Sequence, residues 1–155
     1  MAQAEALAST TAAAQLQEWG KLLVGHWTLT GPGPEDQGSL AVSWMPGGTA
    51  LASDNTSSPS AAAGRAVTVA DAASGQIKQT EVYSDGKIET TYISKLPSGQ
   101  WAWWQTSTAA DGTQETNTAT FTLTNGGNTL LHNVTNRSAA GNALPDKGHV
   151  LKRVG

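Results

Sequence analysis

From residue 25 onward the chain runs in short stretches rich in Val, Ile, Thr, Trp and Tyr, with apolar and polar positions alternating between Gly, Asp, Asn and Pro breaks. Alternation of period two between turn residues marks antiparallel strands with one buried and one wet face. The breaks fall at Pro32-Gly33-Pro34, Pro46-Gly47-Gly48, residues 71–75, Asp85-Gly86, Pro97-Ser98-Gly99, Asp111-Gly112, Asn125-Gly126-Gly127 and residues 142–146. They predict about ten short strands at sandwich or barrel spacing. Ahead of them, residues 3–19 contain no Gly or Pro and are rich in Ala, Leu, Gln and Glu, which favours helix. Leu16, Trp19 and Leu23 recur at helical spacing, so a helix over residues 10–22 should lay an apolar stripe against the strands. The expected organisation is a flexible N-terminus, residues 1–9, followed by one domain over residues 10–155, without repeats or βαβ alternation.

Turn lengths set strand register, and a slip of one residue exchanges the two faces. A two-residue turn at Asp85-Gly86 pairs Glu81 with Thr90. A loop over residues 96–99 pairs Tyr92 with Trp103 and Thr90 with Gln105. A three-residue loop at 110–112 sets Gln105 opposite Asn117 and Trp101 opposite Phe121, and a four-residue loop at 125–128 sets Asn117 opposite Asn136 and Phe121 opposite His132. Upstream, a loop over 71–75 pairs Arg65 with Glu81 and Val69 with Ile77. The predicted inner face carries Val69, Ile77, Tyr83, Ile88, Tyr92, Trp101, Trp103, Phe121, Leu123, Leu130 and Val134, while Val82, Ile93 and Trp104 are apolar exceptions on the outer face. The alternating Thr116 to Thr124 run reads as a solvent face.

On the inner face one cross-strand row reads Arg65, Glu81, Thr90, Gln105, Asn117, Asn136. Such a row is either a satisfied polar network or the polar lining of a cavity. In the cavity reading Trp44, Tyr92, Trp103 and Phe121 are the walls, and Arg65, Glu81, Gln105, Asn117 and His132 orient a polar substituent. His132 is in phase with Leu130 and Val134, which points it inward as a hydrogen-bonded core residue or a general base. Glu81 is expected to pair with Arg65, which would depress its pKa. His132 and Glu81 are the catalytic candidates. Glu35-Asp36 reads as a solvated turn, and nucleophile-elbow, phosphate-loop, dinucleotide and zinc motifs are absent.

Composition narrows the classes. The 155 residues carry a formal net charge of −3 with 14% charged residues and no cysteine. Nine scattered basic residues offer no footprint for nucleic acid, and no apolar run approaches the roughly 18 residues of a membrane span. Thiol catalysis and thiolate metal sites are excluded, and no metal or other cofactor is expected from the residues. The expected location is cytoplasmic if Met1 is native and exported if an upstream signal peptide was removed.

Gly25-His26-Trp27 opens the strand region directly after the helix, and here the chain resembles the calycin superfamily, whose lipocalin members carry Gly-x-Trp on the first strand. The resemblance implies an up-and-down β-barrel in which Trp27 closes the base under a basic residue from the last strand, Arg153. The longer pattern, with Trp44-Met45-Pro46-Gly47-Gly48, Tyr83-Ser84-Asp85-Gly86 and Leu144-Pro145-Asp146, looks like lipocalin-like domains of uncharacterised bacterial proteins. Residues 23–33 and 149–154 are also similar to nitrobindins, which implies haem held by His149. The expected fold is an all-β antiparallel barrel of about ten strands with an N-terminal helix. The expected function is binding of a small, largely apolar ligand inside it by a monomer or homodimer. A cyclase- or isomerase-type acid/base enzyme and haem binding are the alternatives.

Overall fold

The computed structural model describes residues 11–57 and 62–155, so the expected flexible segment lies outside the described residues. Helix α1 covers Ala12–Leu23. The strands are β1 (Gly25–Thr30), β2 (Gly38–Trp44), β3 (Ala50–Ser57), β4 (Gly64–Asp71), β5 (Gln76–Tyr83), β6 (Ile88–Lys95), β7 (Trp101–Thr108), β8 (Gln114–Thr124), β9 (Thr129–Ala139), β10 (Asn142–Ala143) and β11 (Lys147–Arg153). Consecutive strands from β1 to β9 pair antiparallel, and β11 returns between β9 and β1, which closes the sheet on itself. The two-residue β10 sits on the end of β9 outside the ring. The result is the all-β, up-and-down barrel of ten strands with an N-terminal helix that the alternation and the calycin resemblance together predict. Closure leaves the ten strands of the ring without a free edge to template aggregation.

The helix starts where Thr11 accepts a hydrogen bond from the Ala14 N–H, an N-cap that satisfies an otherwise orphaned donor. Its stripe of Leu16, Trp19 and Leu23 is buried. The Trp19 ring meets Trp101 at 4.9 Å and Phe121 at 5.2 Å between centroids. Gln17 donates to the Gly48 carbonyl in the β2–β3 turn, and Gln15 accepts from the Lys95 N–H at the end of β6. The helix therefore seals the barrel end that carries these turns.

Trp27 is fully buried and donates from Nε1 to the Leu23 carbonyl at 2.8 Å. The Arg153 guanidinium lies 4.2 Å over its ring and donates to the Leu22 and Val24 carbonyls, each at 2.8 Å. One cation thus satisfies carbonyls at the C-terminal end of α1, where the helix dipole favours positive charge, and packs on the indole as well. These are the places the calycin resemblance implies for the two residues.

Three turns differ by one residue from the predicted registers, and they correct the faces of two strands. Tyr83 and Lys87 close a three-residue loop over 84–86, so Glu81 faces Glu89 and not Thr90. Leu96 and Gln100 close another over 97–99, which pairs Ile93 with Trp103 and Thr91 with Gln105. The two slips cancel: β6 is flipped relative to expectation, whereas β7 and β8 keep it. Trp101 faces Phe121, Gln105 faces Asn117 and Phe121 faces His132 as predicted. In the third turn Asp71 pairs with Gln76 and Arg65 with Val82. Arg65, Val69, Ile88, Thr90 and Tyr92 consequently lie outside, and Ile93 is core. A bulge on β9 opposite Asn117, where Asn136 adopts a φ of 49°, leaves Asn136 exposed.

Candidate functional site

The barrel encloses a cavity of about 560 Å³. Trp19, Leu23, Leu51 and Ile93 form its floor above the sealed end. One side is aromatic: Trp103, Phe121 and His132 pack with centroids 4.3 to 5.0 Å apart, and His149 lies 5.3 Å beyond His132. Halfway up, a hydrogen-bonded ladder crosses the wall. Thr68 donates to Gln79, Gln105 donates to Thr91, Asn117 donates to Gln105, and the Trp103 indole donates to Asn117 at 3.0 Å. These amides are largely satisfied by each other, which fixes the rotamers of the wall.

Nearer the mouth the lining becomes ionisable. Glu81 and Glu89 are cross-strand partners, 9% and 8% exposed. Burial, then the facing Glu89 charge, raises the Glu81 pKa to about 7 against hydrogen bonds from Tyr83 and Asn55 and the charge of Lys87. Burial and the two carboxylates push the Tyr83 hydroxyl far above its ordinary value. Arg137, brought inward beyond the bulge, donates to Glu115 at 3.1 Å and to the Pro145 carbonyl. On the β11 side, Asp36 accepts from Lys147 at 3.2 Å and lies 3.0 Å from His149 Nε2. Burial raises the Asp36 pKa, but the hydrogen bonds from His149, Lys147 and the Gly33 N–H outweigh it and hold the carboxylate below the ordinary range.

Glu81, Trp103, Gln105, Asn117, Phe121 and His132 all line this cavity. Three expected lining residues do not. Arg65 points out of the barrel, its side chain 87% exposed and paired with Asp54 at 2.9 Å. The expected Arg65–Glu81 ion pair therefore does not form, and burial, followed by the like charge of Glu89 opposite, reverses the predicted direction of the Glu81 pKa. Tyr92 is on the outer face, where Lys78 approaches its ring. Trp44 is packed on α1 at the sealed end, so close to Gly20 that a Cβ there would come within 2.2 Å of the indole. Sequence reasoning missed Glu89, Glu115, Arg137 and Lys147, and took Asp36 for a solvated residue although it is buried. The available signal was the alternation Lys147, His149, Leu151, which marks one inward face of the last strand.

His132 is buried neutral: desolvation, then the neighbouring His149, lowers its pKa to about 3. Its Nε2 and the Nδ1 of His149 are buried without a hydrogen-bond partner among the described residues. The haem implied for His149 does not fit: Nε2, the ring nitrogen remote from the backbone, is taken by Asp36 at 3.0 Å. No group of three His, Cys, Asp or Glu among the described residues is placed to hold a metal, and no helix among them is long and apolar enough to cross a membrane.

Compared with known proteins, the chain matches no family model and no curated sequence. Its architecture, a closed ten-stranded antiparallel barrel with one N-terminal helix, is consistent with a calycin-like fold.

Proposed function

We propose that the barrel binds a small molecule with a largely apolar, ring-bearing body and a polar end. The observation that supports this reading is the cavity itself, about 560 Å³ between an apolar floor, one aromatic wall and buried polar groups without full satisfaction. Ligand sites combine these features: apolar area for affinity and a few converging polar groups for orientation. Titration with the fluorescent apolar probe N-phenyl-1-naphthylamine tests it. Saturable enhancement is expected, weakened about tenfold or more by Trp103→Ala, the loss of one aromatic anchor, and unchanged by Arg65→Ala or Trp104→Ala on the outer face. Absence of saturable binding, or equal loss on Trp104→Ala, contradicts it.

Acid/base catalysis in the same cavity is the second reading, favoured by one specific observation. Glu81 titrates near neutrality while the histidine of the aromatic wall stays neutral, and environments that drive two such groups apart separate acid from base. In that case Glu81→Gln spares probe affinity and removes turnover of about 10² or more. A binding protein loses neither.

A further inference from the structure

The corrected registers set a row of acids across the mouth of the cavity. Glu81 on β5, Glu89 on β6, Ser107 on β7 and Glu115 on β8 are successive cross-strand partners, and all four line the cavity. Buried carboxylates are costly unless each finds a cation, and most acids of this lining do. Arg137 pairs with Glu115 at 3.1 Å, Lys147 with Asp36 at 3.2 Å, and Lys87 lies 3.9 Å from Glu89. Glu81 is the exception: it is 9% exposed, and among the described residues no basic group lies within 4 Å of it. The neighbouring strand β4 supplies none, because Arg65 points outward to Asp54. What β4 supplies is room. A Cβ on Gly64 would come within 2.7 Å of Glu81 Oε1 and 3.0 Å of the Tyr83 ring, so the glycine lets the carboxyl lie over the inner wall. Ser107 is an independent second sign of a missing occupant. It is 8% exposed and makes no side-chain hydrogen bond among the described residues, yet its hydroxyl is not one of the occluded orphan atoms, so it opens on the cavity. Buried polar groups in folded proteins nearly always have a partner.

We infer that the occupant is an arylalkylamine whose single ammonium group donates to Glu81, with Ser107 as a second acceptor, and whose ring lies against Trp103 and Phe121. The inference rests on the cavity-binding reading above and names the polar end which that reading leaves open. One positive charge balances the one carboxylate without a cation, and charge-assisted hydrogen bonds are the strong ones. A carboxylate end would meet Glu81 and Glu89, and a hydroxyl would leave the charge standing. The length of the arm follows from the wall. Asn117, which holds the Trp103 N–H, is the next inward position below Glu115 on β8, and such positions are about 7 Å apart. A ring resting on the Trp103 indole therefore needs a short arm, such as that of an ethylammonium, to reach the carboxyl row.

The test is calorimetric titration of the full chain at pH 8 with tryptamine and with tryptophol, which carries a hydroxyl in place of the ammonium. Tryptamine is expected to bind about tenfold more tightly. Glu81→Gln, which keeps the shape of the side chain and removes its charge, should bring the ratio to about one while the uncharged probe N-phenyl-1-naphthylamine still binds. The unmutated protein gives the same reading through pH. The groups that face Glu81 are Glu89 on β6, Tyr83 on its own strand, Lys87 from the turn and Asn55 on β3, and together with burial they raise its pKa to about 7. Below that value a proton must leave before the ammonium can pair, so tryptamine affinity should rise about tenfold from pH 6 to pH 8 and tryptophol affinity should not follow it. Equal affinities, tighter binding of tryptophol, a preference that survives Glu81→Gln, or a flat pH profile for tryptamine overturns the ammonium assignment and leaves the cavity reading standing. So does binding of N-phenyl-1-naphthylamine with neither indole bound. If none of the three binds, both fall.

Discussion

At the sealed end of the barrel Leu16, Trp19, Leu51, Ile77 and Trp101 are no more than 3% exposed, and each is apolar. At the mouth Asp36, Glu81, Glu89 and His132 are nearly as well buried, at 8 to 9% exposed, and each is titratable. Apolar burial stabilises a fold by about 25 cal/mol per Å², whereas burying an ionisable group costs free energy unless it is paired or neutral. The sealed end follows the first rule throughout. The mouth accepts the second, setting like charges side by side at Glu81–Glu89 and leaving two imidazole nitrogens without a partner among the described residues. Departures from local consistency of this kind concentrate at functional sites, so the contrast separates what holds the barrel together from what it is for.

The contrast can be broken by substitution, and the largest effect belongs to the floor. Trp19→Ala, which removes the ring that joins α1 to Trp101 and Phe121, should cost about 3–5 kcal/mol in denaturant unfolding. A loss below about 1 kcal/mol would mean that the helix does not seal the barrel. Glu81→Gln should act in the opposite direction. The folded-state pKa of Glu81 is raised from 4.5 to about 7, so the native state binds more protons than the unfolded one between those values, and stability falls as pH rises through them. Removing the carboxylate should therefore stabilise the protein at pH 8, by on the order of 3 kcal/mol, and change little at pH 4. The same gain at both pH values would deny that a buried charge is the cause.

His132 shows the complementary slope. Its pKa is depressed from 6.5 to about 3, so the unfolded chain binds more protons between these values and stability is lost as pH falls below 6.5. His132→Phe should remove on the order of 2 kcal/mol of acid sensitivity between pH 7 and pH 4.5, seen as a flatter dependence of the denaturant midpoint on pH. A slope unchanged in the variant would place the acid sensitivity elsewhere. The smallest effect belongs to Arg65→Ala on the outer wall, where an exposed ion pair with Asp54 is worth within about 0.5 kcal/mol. A larger loss by the same unfolding assay would show the outer face to be part of the supporting structure.

The helix and the strands were readable from sequence because their periods are long-range and redundant: Leu16, Trp19 and Leu23 mark one face, and many alternating segments agree on strands, while closure into a barrel was implied by the resemblance carried by Gly25-His26-Trp27. Which way each strand faces depends on single turn residues. Asp85-Gly86 suits a two-residue hairpin turn and a three-residue loop ending in a left-handed glycine equally well, and Gly86 takes a φ of 89° in the second form. That ambiguity turned Tyr92 outward and Glu89 inward. The compensating slip at 97–99 restored Trp103, Gln105 and Asn117 to the inner face, so their correct placement came from two errors that cancel. Arg137 was hidden by the β9 bulge. Asp36 was hidden because a Pro- and Gly-rich connection reads as solvated, and its partners Lys147 and His149 lie more than a hundred residues away in the chain.

Inner and outer tryptophans offer the most direct measurement of whether the barrel interior receives a ligand. Trp103 and Trp104 are neighbours in sequence on opposite faces of β7, one lining the cavity and the other 46% exposed. Indole N–H resonances followed by nitrogen-15 correlation spectra during titration with N-phenyl-1-naphthylamine should show saturable movement of Trp103, whose N–H is held by Asn117, with Trp104 unmoved. Movement of Trp104 with Trp103 unmoved, or no saturable change at either, would contradict a ligand-binding interior.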